Sequence, residues 1–109
     1  MAKRVTTKTG KGVKKTLNIQ VAARLRALKE ERGARNNKEF GSWAGESENS
    51  ANNWLIADNC PGNEAAIKLC ETTGITLDWL FRGSPAGMNS KRAARLDRLS
   101  AVKLDDISQ

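Results

Sequence analysis

Three asparagines, Asn49, Asn52 and Asn53, lie close together in the middle of the chain. In a helix of about 100° per residue they fall on the side opposite the apolar Trp54 and Leu55. An amide carries both a donor and an acceptor, and it can bond adenine N6 and N7 in the major groove. This cluster therefore favours contact with the edges of nucleic-acid bases, and the alternative is an ordinary solvated helix face.

The first sixteen residues contain cations and no acid. Beyond the first two residues only Val5 and Val13 are apolar, so little burial offsets the entropy of ordering, and we expect a disordered arm over 1–16. Such an arm binds phosphates by charge, as a DNA-wrapping arm or as a nonspecific tail. Its candidate phosphate-binding residues are Lys3, Arg4, Lys8, Lys11, Lys14 and Lys15.

The composition excludes several other functions. The chain has 109 residues, a net charge of +7 and no histidine, which suits one domain and excludes a Ser-His or Cys-His enzyme. Cys60 and Cys70 cannot complete a four-ligand zinc site without histidine, and we expect them to be reduced and structural. With no long apolar run, we expect a cytoplasmic protein without membrane contact, metal, cofactor or small-molecule ligand.

Helical periodicity and capping residues predict an all-α fold without strands. The predicted helices are 19–32, 37–44, one after the cap Ser47, 64–73, 77–81 and about 91–99. The predicted N-caps are Asn18, Asn36 or Asn37, Ser47, Asn63, Thr76 and Ser90. Ile67 is expected to face inward, and the stripe Ala93, Leu96 and Leu99 forms either a docked helix or a dimer contact. We expect an arm (1–16), a domain (17–83), and a linker with a last helix (84–109).

Two segments give the chain a family resemblance. Residues 74–83, Gly-Ile-Thr-Leu-Asp-Trp-Leu-Phe-Arg-Gly, resemble the closing helix of the lambda-repressor-like, Xre/Cro-type helix-turn-helix family, and residues 24–33 resemble its opening helix. Between them, Gly45 falls on the turn glycine, Trp54 on an aromatic and Pro61 on a proline of the family pattern. The chain departs from that pattern at Gly41 and Glu46, where the family usually has alanine and an aliphatic residue.

The resemblance implies a compact five-helix domain that binds double-stranded DNA in a sequence-specific manner and regulates transcription as a homodimer. Its third helix would enter the major groove. The residues at base-reading positions are Glu48, Asn49, Asn52 and Asn53. Phosphate contacts would come from the basic arm and from Arg35, Asn37, Lys38 and Ser47.

The charge distribution favours an alternative. No lysine or arginine occurs from Glu39 to Ile67, although phosphate contact requires positive charge. The cations of residues 24–38, from Arg24 to Lys38, would have to line the DNA backbone instead. Otherwise the same fold serves as a protein-interaction module that binds another regulator or RNA polymerase. The charge around the asparagines distinguishes the two hypotheses.

Overall fold

The computed structural model describes the backbone of residues 2–108 and the side chains of residues 16–107. This part of the chain contains six helices and no strand, which confirms the all-α prediction. They are α1 (Ala2–Arg32), α2 (Asn37–Trp43), α3 (Glu48–Leu55), α4 (Asn63–Thr73), α5 (Leu77–Arg82) and α6 (Ser90–Ser108). No helix among the described residues is both long and apolar enough to cross a membrane.

Local signals set the ends of the short helices. The side chains of Asn36, Ser47 and Thr76 cap α2, α3 and α5, and each accepts a hydrogen bond from the backbone N–H three residues further on. Gly74 and Gly83 end α4 and α5 in the left-handed conformation, with φ of 81° and 77°. These caps satisfy backbone groups that the helix itself leaves unpaired. Four of them were predicted from sequence, and Asn36 was one of the two residues predicted to cap α2.

The prediction for the N-terminal segment is wrong for its backbone, because α1 begins at Ala2. Asn18 consequently lies inside this helix and is not an N-cap. The segment contains no proline, and extending a helix that has already nucleated costs far less than starting one. The predicted phosphate contacts of the arm concern the side chains of residues 3–15, which lie outside those that the structure describes.

Two other caps also differ from prediction. Gly62, not Asn63, is the N-cap of α4, and it makes no side-chain cap bond. Asn89, not Ser90, caps α6, since its Oδ1 accepts from the Arg92 backbone N–H at 3.0 Å. The last helix also continues well past residue 99, to Ser108.

The core lies between α1 and the five shorter elements around it. The largest side chains that are fully buried are Trp79, Phe40, Leu25, Leu28, Leu69, Leu80, Leu96 and Val21. Ala93 and Leu96 are buried against the domain and Leu99 is partly buried, so the α6 stripe is a docked helix. Ile67 was expected to face inward, but it lies on the outer side of α4 and is 47% exposed.

Three arginines of α1 connect this helix to the C-terminal ends of three others. Arg24 donates to a carbonyl in α5 at 3.0 Å, Arg26 to one in α3 at 2.7 Å and Arg32 to one in α4 at 3.5 Å. A cation at a helix C-terminus stabilises that helix by roughly 0.3–1 kcal/mol. These guanidinium groups are therefore used in assembling the fold, and Arg26 fixes the end of α3.

Candidate nucleic-acid interface

The helices α2 and α3 form one closely packed unit joined by residues 44–47. Gly45 takes the left-handed conformation in this turn, with φ of 69°, and the Glu46 N–H donates to the Gly41 carbonyl at 2.9 Å. A Cβ on Gly41 would lie only 2.8 Å from the Ser47 carbonyl oxygen. The close approach of α2 to the turn thus explains why glycine occurs at position 41.

The two faces of α3 divide as the sequence predicts. Its apolar side, Ala51, Trp54 and Leu55, is buried. On the other side Glu48, Asn49 and Asn52 are exposed, and Asn53 is half-buried. The polar face is thus open to solvent, and Asn53 is the least accessible of the predicted contacts.

Asn37 of α2 completes this polar face. Together with Glu48, Asn49 and Asn52 it lines a shallow depression of 290 Å³. The depression combines amide donors and acceptors with one carboxylate, which is the set of groups that base edges recognise. The structure therefore brings together four of the predicted residues and leaves Asn53 outside.

A hydrogen-bonded chain supports the depression from behind. The Lys29 ammonium of α1 donates to Asn37 Oδ1 at 2.7 Å, and Asn37 Nδ2 donates to Asn52 Oδ1 at 3.4 Å. Lys29 was predicted only as one of several cations near the DNA backbone. No local pattern links Lys29 to Asn37, because they belong to different helices, and α1 and α2 both pack against α3.

The other predicted residues have separate surroundings. Ser47 is exposed and serves as the cap of α3, where its Oγ accepts from the Ser50 N–H at 3.2 Å. Arg35 is paired with Glu39 at 3.0 Å, whereas Lys38 is exposed on α2. None of these positions lines the depression.

The Glu39 carboxylate has an environment that favours its charged form. The Arg35 backbone N–H donates to it at 3.0 Å and the Arg35 side chain at 3.1 Å. These bonds, the backbone one first, lower the pKa of Glu39. The Glu39 carboxylate therefore binds the backbone just before α2 and pairs with the Arg35 side chain, which was predicted to contact phosphate.

The charge around α3 has both signs. Glu46 and Glu48 are exposed near its N-terminal end. Lys68 of α4 extends over the turn, since its Nζ lies 3.0 Å from the position of a Cβ on Gly45. Lys38 of α2 and Lys68 of α4 thus lie at the same unit as the exposed Glu46 and Glu48.

The two cysteines match their expected role. Cys60 and Cys70 are free thiols and partly buried. The Cys60 thiol donates to Asn18 Oδ1 at 3.1 Å. Burial raises the pKa of both thiols, which disfavours the reactive thiolate.

Comparisons of the chain with protein-family models, with curated proteins and with solved structures give no match. The described residues form an all-helical domain. In it, α2 and α3 pack closely as one unit, and α3 exposes a polar face. The candidate site of this domain is the depression lined by Asn37, Glu48, Asn49 and Asn52.

Proposed function

We propose that the protein is a sequence-specific, double-stranded DNA-binding transcription regulator with a lambda-repressor-like helix-turn-helix domain. The observation that carries this proposal is the depression in which amides from α2 and α3 meet on an exposed helix face. The major groove of B-DNA admits an α-helix and presents donors and acceptors to such side chains. The α2–turn–α3 unit corresponds to the helix-turn-helix, with α3 in the groove.

Base contacts come from the exposed face of α3. Asn49 donates to and accepts from base edges, Asn52 donates to them, and Glu48 accepts from cytosine N4. Asn53, being half-buried, contacts DNA only at the margin. A homodimer would place two copies of α3 about 34 Å apart, one turn of DNA.

Phosphate contacts come from lysines around the unit. Lys38 and Lys68 lie on α2 and beside the turn, and the basic residues 3–15 add charge at the start of α1. Arg24, Arg26 and Arg32 are excluded from this set because each bonds a helix carbonyl within the domain. Phosphate binding by lysines positions the protein, whereas the amides select the sequence.

The test is selection of bound duplexes from a random pool, followed by affinity measurements across a salt series. We expect Asn49→Ala to relax the preference at one base position, by roughly 1–3 kcal/mol. Lys38→Gln should weaken all sequences alike and reduce the slope of log K against log salt by about 0.9.

The matched control is Asn59→Ala, which removes an exposed amide from the loop after α3. We expect it to leave both the selected sequence and the salt slope unchanged. A pool that shows no enrichment would contradict sequence-specific binding, and an affinity that does not depend on salt would contradict DNA binding altogether.

A second function is favoured by a different observation. Glu46 and Glu48 are both exposed at the start of α3, and three α1 arginines are engaged inside the domain. An acidic edge of this kind suits a basic surface on another regulator or on RNA polymerase. The charge reversal Glu46→Lys would then abolish the protein complex, whereas it would strengthen binding to DNA under the first proposal.

A further inference from the structure

We infer that Lys29 is a positioning residue that determines which bases can accept a hydrogen bond from Asn52, an inference that rests on the proposed DNA-binding function. Lys29 does not line the depression. It acts through Asn37, whose amide lies between the ammonium and Asn52. The inference concerns orientation, because an asparagine amide presents a different group to DNA when it is turned over.

The ammonium fixes the direction of the whole chain. Lysine has three donors and no acceptor, so the oxygen of the Asn37 amide, and not its nitrogen, must face Lys29 Nζ at 2.7 Å. The Asn37 nitrogen then faces Asn52 and donates to its Oδ1 at 3.4 Å. The Asn52 oxygen is turned toward α2, and its NH2 group is turned away from Asn37.

The surroundings of Lys29 keep it committed to Asn37. The two residues that follow it in sequence, Glu30 and Glu31, are acids, but both are paired with cations of α6. Lys103 pairs with Glu30 at 2.8 Å, and Arg92 pairs with Glu31 at 2.9 Å. Lys29 is also half-buried, so we expect its ammonium to retain the charge-assisted bond to the Asn37 amide. The docking of α6 therefore helps to keep Lys29 bonded to Asn37 at the DNA-binding face.

The exposed NH2 group of Asn52 selects bases with acceptors. Purine N7, guanine O6 and thymine O4 are acceptors in the major groove, whereas cytosine presents the N4 donor. A donor placed against a donor leaves both groups unpaired, which is costly once water is excluded. We therefore expect Asn52 to reject cytosine at its position by at least about fivefold in affinity.

The experiment compares Lys29→Met with Lys38→Met. The position contacted by Asn52 is first located as the one whose preference is lost in Asn52→Ala. Lys29→Met lets both amides turn over, so discrimination against cytosine should fall toward onefold at that position alone. Lys38→Met removes the same charge from exposed α2 and should weaken all sequences equally. Lys29→Arg retains a donor and should keep the discrimination.

A measurement without DNA gives an independent result. The side-chain NH2 resonances of Asn37 and Asn52 in the free protein should shift in Lys29→Met and remain in place in Lys38→Met. Melting curves establish that each variant is folded.

The outcomes separate the two proposals. A wild-type protein with base preferences that Lys29→Met leaves unchanged overturns the role of Lys29 alone. A preference for cytosine at the Asn52 position also overturns it. A wild-type protein that binds every duplex alike overturns the proposed function itself.

Discussion

Two parts of the molecule are held together by different kinds of contact: the interface between α1 and α6, called the seam below, and the α2–α3 unit. Ion pairs cross the seam, with Glu31 bonded by Arg92 at 2.9 and 3.1 Å and Glu30 paired with Lys103 at 2.8 Å. In the α2–α3 unit the backbones themselves approach closely, and Gly41 permits this. Charge is thus used where the fold is assembled, and the polar face of α3 presents mainly amides.

The same contrast separates the two kinds of cation. Arginines 24, 26, 32 and 92 bond carbonyls or a carboxylate inside the domain, where a planar guanidinium matches its partner well. Lys38 and Lys68 lie around the α2–α3 unit instead, whereas Lys29 bonds Asn37 and Lys103 pairs with Glu30. A count of positive charges therefore overestimates the number that is free of contacts inside the domain.

The largest predicted effect comes from Gly41→Ala, which disrupts the α2–α3 unit. Gly41→Ala places a methyl group 2.8 Å from the Ser47 carbonyl oxygen and 3.0 Å from that of Glu46. Alanine favours helix over glycine by roughly 0.5–1 kcal/mol, but backbone atoms cannot move aside as a flexible side chain can. We expect a net loss of about 1–3 kcal/mol in the free energy of unfolding, measured by urea denaturation.

Gly62→Ala is the control for this substitution. A Cβ at Gly62 meets nothing within 4 Å, and its φ of −71° suits alanine. Because Gly62 is the N-cap of α4 and alanine is a poorer N-cap than glycine, we expect a loss of up to about 1 kcal/mol, smaller than that of Gly41→Ala. Equal stability of wild type and Gly41→Ala would show that the turn adapts and that the close approach is not required.

A smaller effect is expected at the seam. Arg92→Ala removes two hydrogen bonds from Glu31, whose side chain is only 8% exposed. Arg95 remains at 3.8 Å from the same carboxylate and compensates in part. We expect a loss of about 1–2 kcal/mol in the free energy of unfolding, near the lower end of the cost of an unpaired buried polar group.

The matched variant is Arg82→Ala, at an exposed pair with Asp78 within α5. Exposed pairs of this type contribute about 0.3–0.5 kcal/mol. If both arginine variants lost the same stability, the seam would not depend on its ion pairs. The two measurements also show whether α6 docks mainly through Leu96 and its apolar neighbours.

The sequence predicted what local signals determine. Ser47 and Thr76 were identified as caps because a side-chain oxygen next to a helix start is a short-range pattern. The apolar stripe of α3 followed from periodicity in the same way. By contrast, the bonds of Arg26 to α3 and of Lys29 to Asn37 depend on how α1 packs, and nothing in their neighbouring residues separates them from other cations.

The errors at α1 and α6 have different causes. At the start of α1 a helix that has already nucleated extends through residues whose Gly, Thr and polar side chains weaken the periodic pattern. At the end of α6 the cause is packing against the rest of the domain, which the periodic pattern does not show. The partners Glu30 and Lys103 are far apart in the chain, yet their bridge holds the second half of α6 against α1. Tertiary contact overrides weak local preference in this part of the fold.

The smallest predicted effect is a pH dependence of stability that arises from Glu39 at the start of α2. The pKa of Glu39 is lowered, first by the Arg35 backbone N–H and then by the Arg35 side chain. Its contribution to stability is therefore present above the unfolded-state pKa and is lost as the pH falls through the folded-state value. Glu39→Gln should melt slightly below wild type at neutral pH, and the two melting temperatures should converge on acidification.

NMR titration of the Glu39 carboxyl in Arg35→Ala tests the cause of the lowered pKa. Because the backbone donor remains in this variant, most of the lowering of the Glu39 pKa should persist. A Glu39 pKa that returns to its ordinary value in Arg35→Ala would assign the effect to the guanidinium instead.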